Sequence, residues 1–279
     1  MPPPTRLRNQ PSASPRVRTE AEPRHRDVLP ITHRSSATMH AVWTICKREV
    51  NAFFDSLTAY VLLVIFLGLS GTFTWLFGQG DIFFVGEASL STFFQVSFWT
   101  LFFFIPAVTM GMIAEERRSG TLELLATKPV DDLEIVTGKW LAAWGLVAIA
   151  LAFTLPYYVT VAQLGPIDHG ATVSGYLGLL FVSAVYVSIG LFASSLTGNQ
   201  IVAFLLSLLI AVFLHLLFGQ MASILPDALA NVAEFLDLQG HFQTMARGVI
   251  DAASVLYGIT LTVLGLLAAT ISLKSRSWS

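Results

Sequence analysis

The sequence predicts an all-α integral membrane protein with six transmembrane helices and an N-terminal interfacial helix. Of its 279 residues, 54% are hydrophobic and only 12% are charged, and the mean hydropathy is +0.67. Soluble domains carry about 25% charged residues, so most of this chain suits lipid better than water. The apolar residues also fall in runs of about 20 residues, the length that crosses a bilayer as a helix.

Six uncharged apolar runs are long enough to span a membrane. They cover residues 58–77, 94–114, 140–163, 173–195, 200–219 and 253–273. Pro106 and Pro156 lie within the second and third runs and predict kinks, which neighbouring helices make tolerable in a membrane. Small residues spaced four apart in the fourth run predict close helix packing. These pairs are Ser174/Gly178, Ala184/Ser188 and Gly190/Ser194.

Two different segments precede the first span. Residues 1–38 are rich in Pro, Arg and Ser, which predicts a disordered basic N-terminal extension ahead of a six-helix membrane domain at 39–279. Met39 fits a start of translation, because patterned sequence begins there. The pattern that follows predicts an amphipathic helix lying in the membrane interface. Its apolar face consists of Val42, Ile45, Val50 and Phe53 or Phe54.

The distribution of Lys and Arg predicts that both termini are cytoplasmic. With the N-terminus inside, 15 of the 16 basic residues fall on the cytoplasmic side and only Arg247 falls outside. The same orientation places residues 115–139 in the cytoplasm and makes residues 220–252 the one sizeable outer loop. We therefore expect a multi-pass protein of the plasma (inner) membrane.

The second span ends abruptly in the charged stretch "EERRSGTLELLATKPV", residues 115–130. Gly120 permits a sharp change of backbone direction, and Pro129 ends the short helix expected over "TLELLAT". Asp131 with Glu134 fits a capping box, so a further helix is expected to run from there into the third span. From these residues alone, an ordinary capped loop and a helix that docks into a groove on a partner are equally supported.

This loop closely resembles the conserved loop of ABC-2 type ABC transporter permeases, which reads Glu-Glu-Arg-x-x-Gly-Thr-Leu-Glu before a leucine pair and a proline. The matching residues are Glu115, Glu116, Arg117, Gly120, Thr121, Leu122, Glu123, Leu124, Leu125 and Pro129. In that family the loop is the coupling helix that docks onto a separate ATPase, so the resemblance implies that these residues couple to an ATPase. It covers about residues 39–274 and implies an ABC-2 (type V exporter-like) permease fold. Lys128 departs from the family, where an apolar residue is usual.

The resemblance implies that the chain is a subunit of an exporter. In such an exporter, two identical or related permeases lie side by side in the bilayer and pair with two ATPase subunits. The chain contains no G-x-x-x-x-G-K-[ST] phosphate loop, so ATP and Mg²⁺ are expected on the partner ATPase. No catalytic group, cofactor, metal or nucleic acid is expected on this chain. Cys46 is its only cysteine, which excludes an intramolecular disulfide and a cysteine-based metal cluster.

The outer loop, residues 220–252, predicts two short amphipathic helices, over "PDALANVAEFLDL" and "HFQTMARGVID". The second stretch resembles the segment before the last span in the gliding-motility branch of ABC-2 permeases. The matching residues are His241, Phe242, Arg247, Gly248, Val249, Ile250 and Asp251. Val249 is expected on one helical face with Phe242 and Met245.

Two polar residues on the outer side have two interpretations each. Arg247 either pairs with Asp251 four residues on or contacts an anionic substrate or lipid phosphate. His215 either forms a helix–helix hydrogen bond or binds substrate or a proton. The helix–helix bond and the pair with Asp251 are favoured.

Two other function classes are alternatives to a transporter subunit. A non-transporting membrane anchor or regulator could share the permease fold. An intramembrane protease of the CAAX-processing type would use a Glu-Glu-x-x-x-Arg motif with helix-borne histidines, but Gly120 stands at the position of that arginine. His215 and His241 also map near the outer face, away from the Glu pair, so the groups would not come within hydrogen-bond reach.

Overall fold

The computed structural model of the protein describes residues 31–76, 89–121, 131–222 and 224–275, which form helices joined by short turns. The helices before the middle of the chain are α1 (Ile31–Asp55), α2 (Leu57–Trp75), α3 (Ser91–Thr109), α4 (Ala114–Ser119), α5 (Asp132–Ala152) and α6 (Leu155–Leu164). Those after it are α7 (His169–Leu196), α8 (Gln200–Val212), a π-helical turn (Phe213–Leu217), α9 (Phe218–Ala222), α10 (Asp227–Leu236), α11 (Leu238–Ala246) and α12 (Ala252–Ser275).

Within the described ranges, six helical segments are long and apolar enough to cross a membrane, which confirms the predicted number. The first, fourth and sixth are α2, α7 and α12, while the second, third and fifth are the composite segments α3–α4, α5–α6 and α8–α9. One end of this bundle, which we call the basic end, carries α1, α4 and the first turns of α5. The opposite end carries α10 and α11.

The helices of the two composite spans near the middle of the chain are interrupted near the two prolines at which kinks are predicted. Pro156 follows a break at Phe153 and Thr154, and it lies in the first turn of α6. Pro106 lies inside α3, which ends three residues later at Thr109. Proline lacks a backbone N–H and its ring clashes with the preceding turn, so a helix bends or restarts near it.

The third span begins with the predicted capping box. Asp131 precedes α5, its side chain accepts from the backbone N–H of Glu134, and the Glu134 carboxylate accepts from the Asp131 N–H at 3.2 Å. These bonds satisfy N–H groups that have no partner inside the helix. The start of α5 is therefore set by local sequence.

The centre of the bundle is α7, surrounded by α3, α5, α8, α11 and α12. About 72% of the most apolar stretch of α7 is buried inside the protein, against 22% of the corresponding stretch in the fifth span and 28% in α2 and α12. Glycines bring neighbours close: a Cβ on Gly190 would lie 2.0 Å from Thr109 Oγ1, and one on Gly178 would lie 3.2 Å from Met245 Cβ. Close packing of α7 through small residues is confirmed at both positions.

The N-terminal helix is longer than predicted and faces protein. α1 starts at Ile31, so residues 31–38 are helical rather than part of the predicted disordered extension, whose remainder lies outside the described residues. Ile45 on the predicted apolar face packs against α5, where a Cβ on Gly138 would lie 2.7 Å from its Cγ2.

Two short helices occupy the opposite end, as predicted. Phe242 and Met245 of α11 are buried, and the Phe242 ring stacks on Phe98 of α3 with centroids 4.5 Å apart. The expectation that Val249 shares this face is wrong, because α11 ends at Ala246 and Val249 is exposed. Gly248 has a φ of +95°, a left-handed backbone that stops the helix before Val249.

Candidate functional site

The second span bends at Met110–Ile113, a turn between α3 and α4 that we call the elbow. Ser194 of α7 satisfies its backbone: the Ser194 hydroxyl accepts from the N–H groups of Ile113 at 3.1 Å and Ala114 at 3.0 Å, and it donates to the Met110 carbonyl at 2.9 Å. Buried backbone groups outside a helix need such partners. Ser194 therefore holds the bend in place.

A lysine with no exposed side-chain surface lies beside the elbow. Lys139 Nζ donates to the Met112 carbonyl at 2.8 Å, and it lies 2.9 Å from Glu116 Oε1 and 3.1 Å from Glu49 Oε1. Arg48 pairs with the same two carboxylates. These four residues, Arg48, Glu49, Glu116 and Lys139, form what we call the charge cluster, with two cations balancing two anions. Buried charges are tolerated when they are paired in this way.

The six-residue helix α4 is bonded to four other helices. Its Glu116 joins the charge cluster and so reaches α1 and α5. Glu115 Oε2 accepts from Gln200 Nε2 of α8 at 2.9 Å, and Arg117 Nη1 donates to the Ser195 carbonyl of α7 at 3.0 Å. A displacement of α4 is therefore passed to α1, α5, α7 and α8 through polar contacts.

The described part of the predicted coupling residues consists of Glu115, Glu116, Arg117, Gly120 and Thr121. Gly120 ends α4 with a φ of +72°, which confirms the predicted sharp change of direction. Thr121 Oγ1 lies 2.9 Å from Ser119 Oγ. The short helix expected over "TLELLAT", with Leu122, Glu123, Leu124, Leu125 and Pro129, lies outside the described residues.

Cys46 lies on the same buried face of α1 as Glu49. Burial, and then the negative charge of Glu49, raises the pKa of the Cys46 thiol above its ordinary value. For Arg48, burial lowers the pKa, but the hydrogen bond and charge of Glu49, with those of Glu116, outweigh burial and raise it. The arginine of the charge cluster thus keeps its charge.

A cavity of about 410 Å³ lies next to the charge cluster, between α1 and α2 on one side and α3 and α4 on the other. Glu49, Glu115, Glu116 and Lys139 are among the residues that line it. The elbow therefore lies between two environments. On one side it is hydrogen-bonded to α7, and on the other it borders this cavity, which α2 also lines.

A family model described as ABC-2 family transporter protein matches residues 43–274, most of the chain. The chain belongs to the ABC-2 transporter family. No curated protein matches it. The ABC-2 protein is thus a multi-pass membrane subunit of a transporter rather than itself an enzyme, and its family implies an ABC ATPase as partner.

His215 of the ABC-2 protein makes the favoured helix–helix hydrogen bond. Its Nδ1 lies 2.6 Å from the Tyr186 hydroxyl of α7, and its ring stacks on Phe98 with centroids 4.3 Å apart. His215 is fully buried in the π-helical turn between α8 and α9. It connects the fifth span to the centre of the bundle.

His241 fastens the two short helices α10 and α11 to α12, the last span of the ABC-2 protein. Its Nδ1 lies 2.8 Å from Ser254 Oγ of α12, and its Nε2 lies 2.9 Å from the Phe235 carbonyl of α10. Its ring also stacks on Tyr257, whose hydroxyl donates to the Leu236 carbonyl at 2.6 Å. His241 is therefore a structural link between α10, α11 and α12.

Arg247 and Asp251 are not paired in the described structure, so the expected i,i+4 ion pair is wrong. Arg247 Nε donates instead to the Gln243 carbonyl at 3.2 Å, at the end of α11. The pair requires one continuous helix, and Gly248 interrupts it with a left-handed backbone while α12 starts only at Ala252. Arg247 thus closes α11.

The partners of the predicted coupling residues were not predicted from the sequence: they are Arg48 and Lys139 for Glu116, Gln200 for Glu115 and the Ser195 carbonyl for Arg117. One signal was available for Lys139, which lies within the third membrane-spanning segment, where an ionisable residue is costly unless it is paired. Glu49 follows Ile45 by four residues and so lies on the buried face of α1. Ser194 was assigned to close packing, with no indication of its bonds to the elbow.

Proposed function

We propose that this chain is the permease subunit of an ATP-driven ABC-2 exporter, moved by a separate ATPase that docks on residues 115–130. The observation that carries the proposal is the bonding of α4, which joins a docking loop to α1, α5, α7 and α8. An ordinary solvent loop has no need of such anchorage. A loop that receives force requires it, because a loosely attached loop would move without moving the spans.

The orientation proposed for the bundle puts the basic end in the cytoplasm. Arg48, Arg117 and Lys139 lie at this end, whereas the described part of the opposite end carries Arg247 as its basic residue. Basic residues are retained on the cytoplasmic side of membrane proteins. An ATPase in the cytoplasm then meets the loop that follows α4.

Force would pass through the elbow in this proposal. ATP-driven closure of two ATPase subunits would push on residues 115–130 and so on α4. Because Ser194 and Lys139 satisfy the elbow's backbone groups, the elbow would transmit this movement to α3 and α5 instead of absorbing it. The second and third spans would then shift together and alternate the access of the transport route.

A second permease copy, identical or related, would cover part of the outward apolar surface. The spans with the least burial are α8–α9, α2 and α12, and their outward faces carry large apolar side chains. Lipid suits such faces, and so does another copy of the same surface. The proposed assembly is two permeases side by side with two ATPases.

The proposal is tested by co-expressing the chain with the ABC ATPase encoded nearest to its gene and purifying the complex in nanodiscs. Leu125→Asp should abolish assembly, because a carboxylate would enter the apolar contact with the ATPase, whereas the volume-conserving Leu125→Met should assemble normally. Glu116→Ala should assemble but lose about tenfold in the ATP turnover that the permease stimulates, since α4 is no longer bonded to α5.

Two outcomes would sink this function. One is that the wild-type chain forms no complex with the ATPase. The other is that Leu125→Asp and Glu116→Ala leave both assembly and ATP turnover unchanged. A complex that assembles normally but never moves cargo in vesicles would instead identify the chain as a non-transporting anchor or regulator.

A further inference from the structure

The fifth span consists of two helices, α8 and α9, joined by a π-helical turn at Phe213–Leu217. A π-helical turn contains one residue more than an α-helical turn, and it is rare and frequent at functional sites. Membrane and soluble helices also bend sharply at such turns. The π-helical turn is therefore the place at which the fifth span can change its angle.

One residue fixes the π-helical turn to the rest of the bundle. His215 is the buried residue of the turn, whereas Phe213 is half exposed. His215 Nδ1 lies 2.6 Å from the Tyr186 hydroxyl of α7, and the His215 ring stacks on Phe98 of α3 with centroids 4.3 Å apart. The turn is thus held on one side by α7 and α3, while its other side faces outward.

The two halves of the fifth span pack against different parts of the protein. α8 packs against α7 and α3, whereas α9 packs against α10. A Cβ on Gly219 of α9 would lie 3.0 Å from Asp237 Oδ2, the carboxylate that caps α11. His241 joins α10 and α11 to α12. The π-helical turn therefore lies at the boundary between two packing units.

α8 has a narrow contact with the bundle and a polar contact at its first residue. Its buried residues form one stripe with a spacing of four: Ala203, Ser207 and Ala211. Of the six described spans, the fifth has the lowest buried fraction, 22%. Gln200 Nε2 donates to Glu115 Oε2 of α4 at 2.9 Å. A displacement of α4 therefore acts on α8 at its first residue, while the π-helical turn fixes the other end.

We propose that the π-helical turn is a hinge about which α8 swings relative to α9, while the contact of His215 with Tyr186 stays in place. Gln200 is then the positioning residue through which α4 sets the angle of α8. α8 is about 20 Å long, so a change of about 20° in the bend moves its first residue by about 7 Å. This inference deepens the proposed function, on which it rests for the force on α4, and adds the fifth span to the parts that move.

Distances between spin labels test the hinge in the chain alone. In a Cys46→Ser parent, Val202→Cys with Ile271→Cys forms the first pair and reports α8 against α12 at the basic end. Met221→Cys with Leu256→Cys forms the second pair, the matched control, and reports α9 against α12 at the opposite end. All four labelled positions are exposed. Labelled protein is diluted with unlabelled parent in nanodiscs, so that pulsed electron–electron double resonance measures distances within one copy.

Removal of the bond at Gln200 should free α8. Gln200→Ala leaves Glu115 without this donor, so the first distance distribution should broaden by about 6 Å while the second stays as in the parent. Gln200→Glu sets two carboxylates against each other and should shift the first distance. Glu115→Gln/Gln200→Glu exchanges the two groups and restores an amide–carboxylate hydrogen bond, so it should restore the parent distribution.

Removal of the extra residue should stiffen the span. Deletion of Leu216 converts the π-helical turn into an α-helical turn and keeps the facing of the residues on both sides of it. Combined with Gln200→Ala, the deletion should leave both distributions narrow, because α8 and α9 then form one continuous helix. Circular dichroism and size exclusion check that each variant is folded.

Three outcomes would overturn the hinge. In the first, Gln200→Ala leaves the first distribution as narrow as the second, and in the second it broadens both equally. In the third, the folded variant without Leu216 broadens as much as the variant with the π-helical turn. The first two outcomes decide the matter even where the deletion variant does not fold.

The same labels separate the hinge from the proposed function. Because these measurements contain no ATPase, failure of ATPase assembly would sink the proposed function and leave the hinge standing. In an assembled complex trapped with ATP and vanadate, the first distance should shift by about 6 Å and the second should not. An unshifted first distance in a complex that hydrolyses ATP would overturn the role given to Gln200.

Discussion

Lys139 Nζ lies 2.9 Å from Glu116 Oε1, and this ion pair closes the loop between the second and third spans at its base. Glu116 precedes the loop and Lys139 follows it, so one contact holds the two spans together where the loop leaves them. The lysine side chain is fully buried and that of Glu116 is mostly buried, so salt screens this contact much less than it screens an exposed ion pair. The stability of the basic end should therefore depend on this pair.

Replacement of Lys139 by methionine should strongly destabilise the protein. The substitution removes one of two cations and leaves Glu49 and Glu116 facing each other, and breaking a buried pair from one side costs about 3–5 kcal/mol. Thermal unfolding in nanodiscs should show an apparent melting temperature about 10 °C lower. Lys47→Met, a change of the same chemistry at an exposed position, should shift it little.

A second substitution should recover much of this loss. In Lys139→Met/Glu116→Leu the remaining pair is Arg48 with Glu49, which is neutral and stays bonded. Replacing both partners of a buried pair by apolar groups is often close to neutral. If the double variant melts no higher than Lys139→Met, the cost arises from packing rather than from an uncompensated charge.

Ser194→Ala should loosen the elbow. The change leaves the N–H groups of Ile113 and Ala114 without their acceptor, and each buried unsatisfied donor costs about 1–3 kcal/mol. Ser195→Ala is a matched neighbour, because the bond that the Ser195 hydroxyl makes among the described residues is to the Phe192 carbonyl of its own helix. Hydrogen exchange at residues 110–114 should accelerate in the first variant and stay near wild type in the second; equal exchange in both would contradict the role given to Ser194.

Gly190→Ala should disrupt the contact between α7 and α3. A Cβ there would lie 2.0 Å from Thr109 Oγ1 and 2.8 Å from Thr109 Cβ, so one helix must move, at a cost of about 1–3 kcal/mol. A Cβ on Gly145 of α5 would meet nothing within 4 Å, and alanine is the better helix former. Apparent melting temperatures should fall for Gly190→Ala and hold or rise for Gly145→Ala. The reverse order would refute close packing at Gly190.

Cys46 should react slowly with maleimide near neutral pH, and faster as the pH rises. The thiolate is the reactive form, and a raised pKa reduces its fraction at any pH below that value. Glu49→Gln removes a charge that raises this pKa and leaves Lys139 with a neutral acceptor in place of a carboxylate, so labelling should accelerate about tenfold per unit of pKa lost. The exposed thiol of Cys46→Ser/Thr44→Cys provides the fast reference, and a native Cys46 that labels equally fast would show that α1 is not docked.

Much of this architecture follows from short stretches of sequence. The number of spans follows from uncharged runs, the start of α5 from Asp131 and Glu134, and the end of α4 from Gly120, because each depends on neighbours a few residues away. The pair of Arg247 with Asp251 failed for a local reason as well, since one left-handed glycine interrupts the helix between them. The partners of Glu115 and Glu116 could not be derived in this way. Gln200 is 85 residues from Glu115 in the chain, and no periodicity relates them.

The sequence by itself determined that this chain has six segments apolar enough to span a membrane and that its charged loop resembles the coupling loop of ABC-2 permeases, because hydropathy, capping and the loop motif are written in consecutive residues. Only the tertiary structure decided that Ser194 holds the elbow, that Lys139 joins two carboxylates, and that a cavity opens beside Glu116. The physical reason is burial. A charge or a bent backbone inside a membrane protein must find its partners on other helices, and helix packing determines which residues those are.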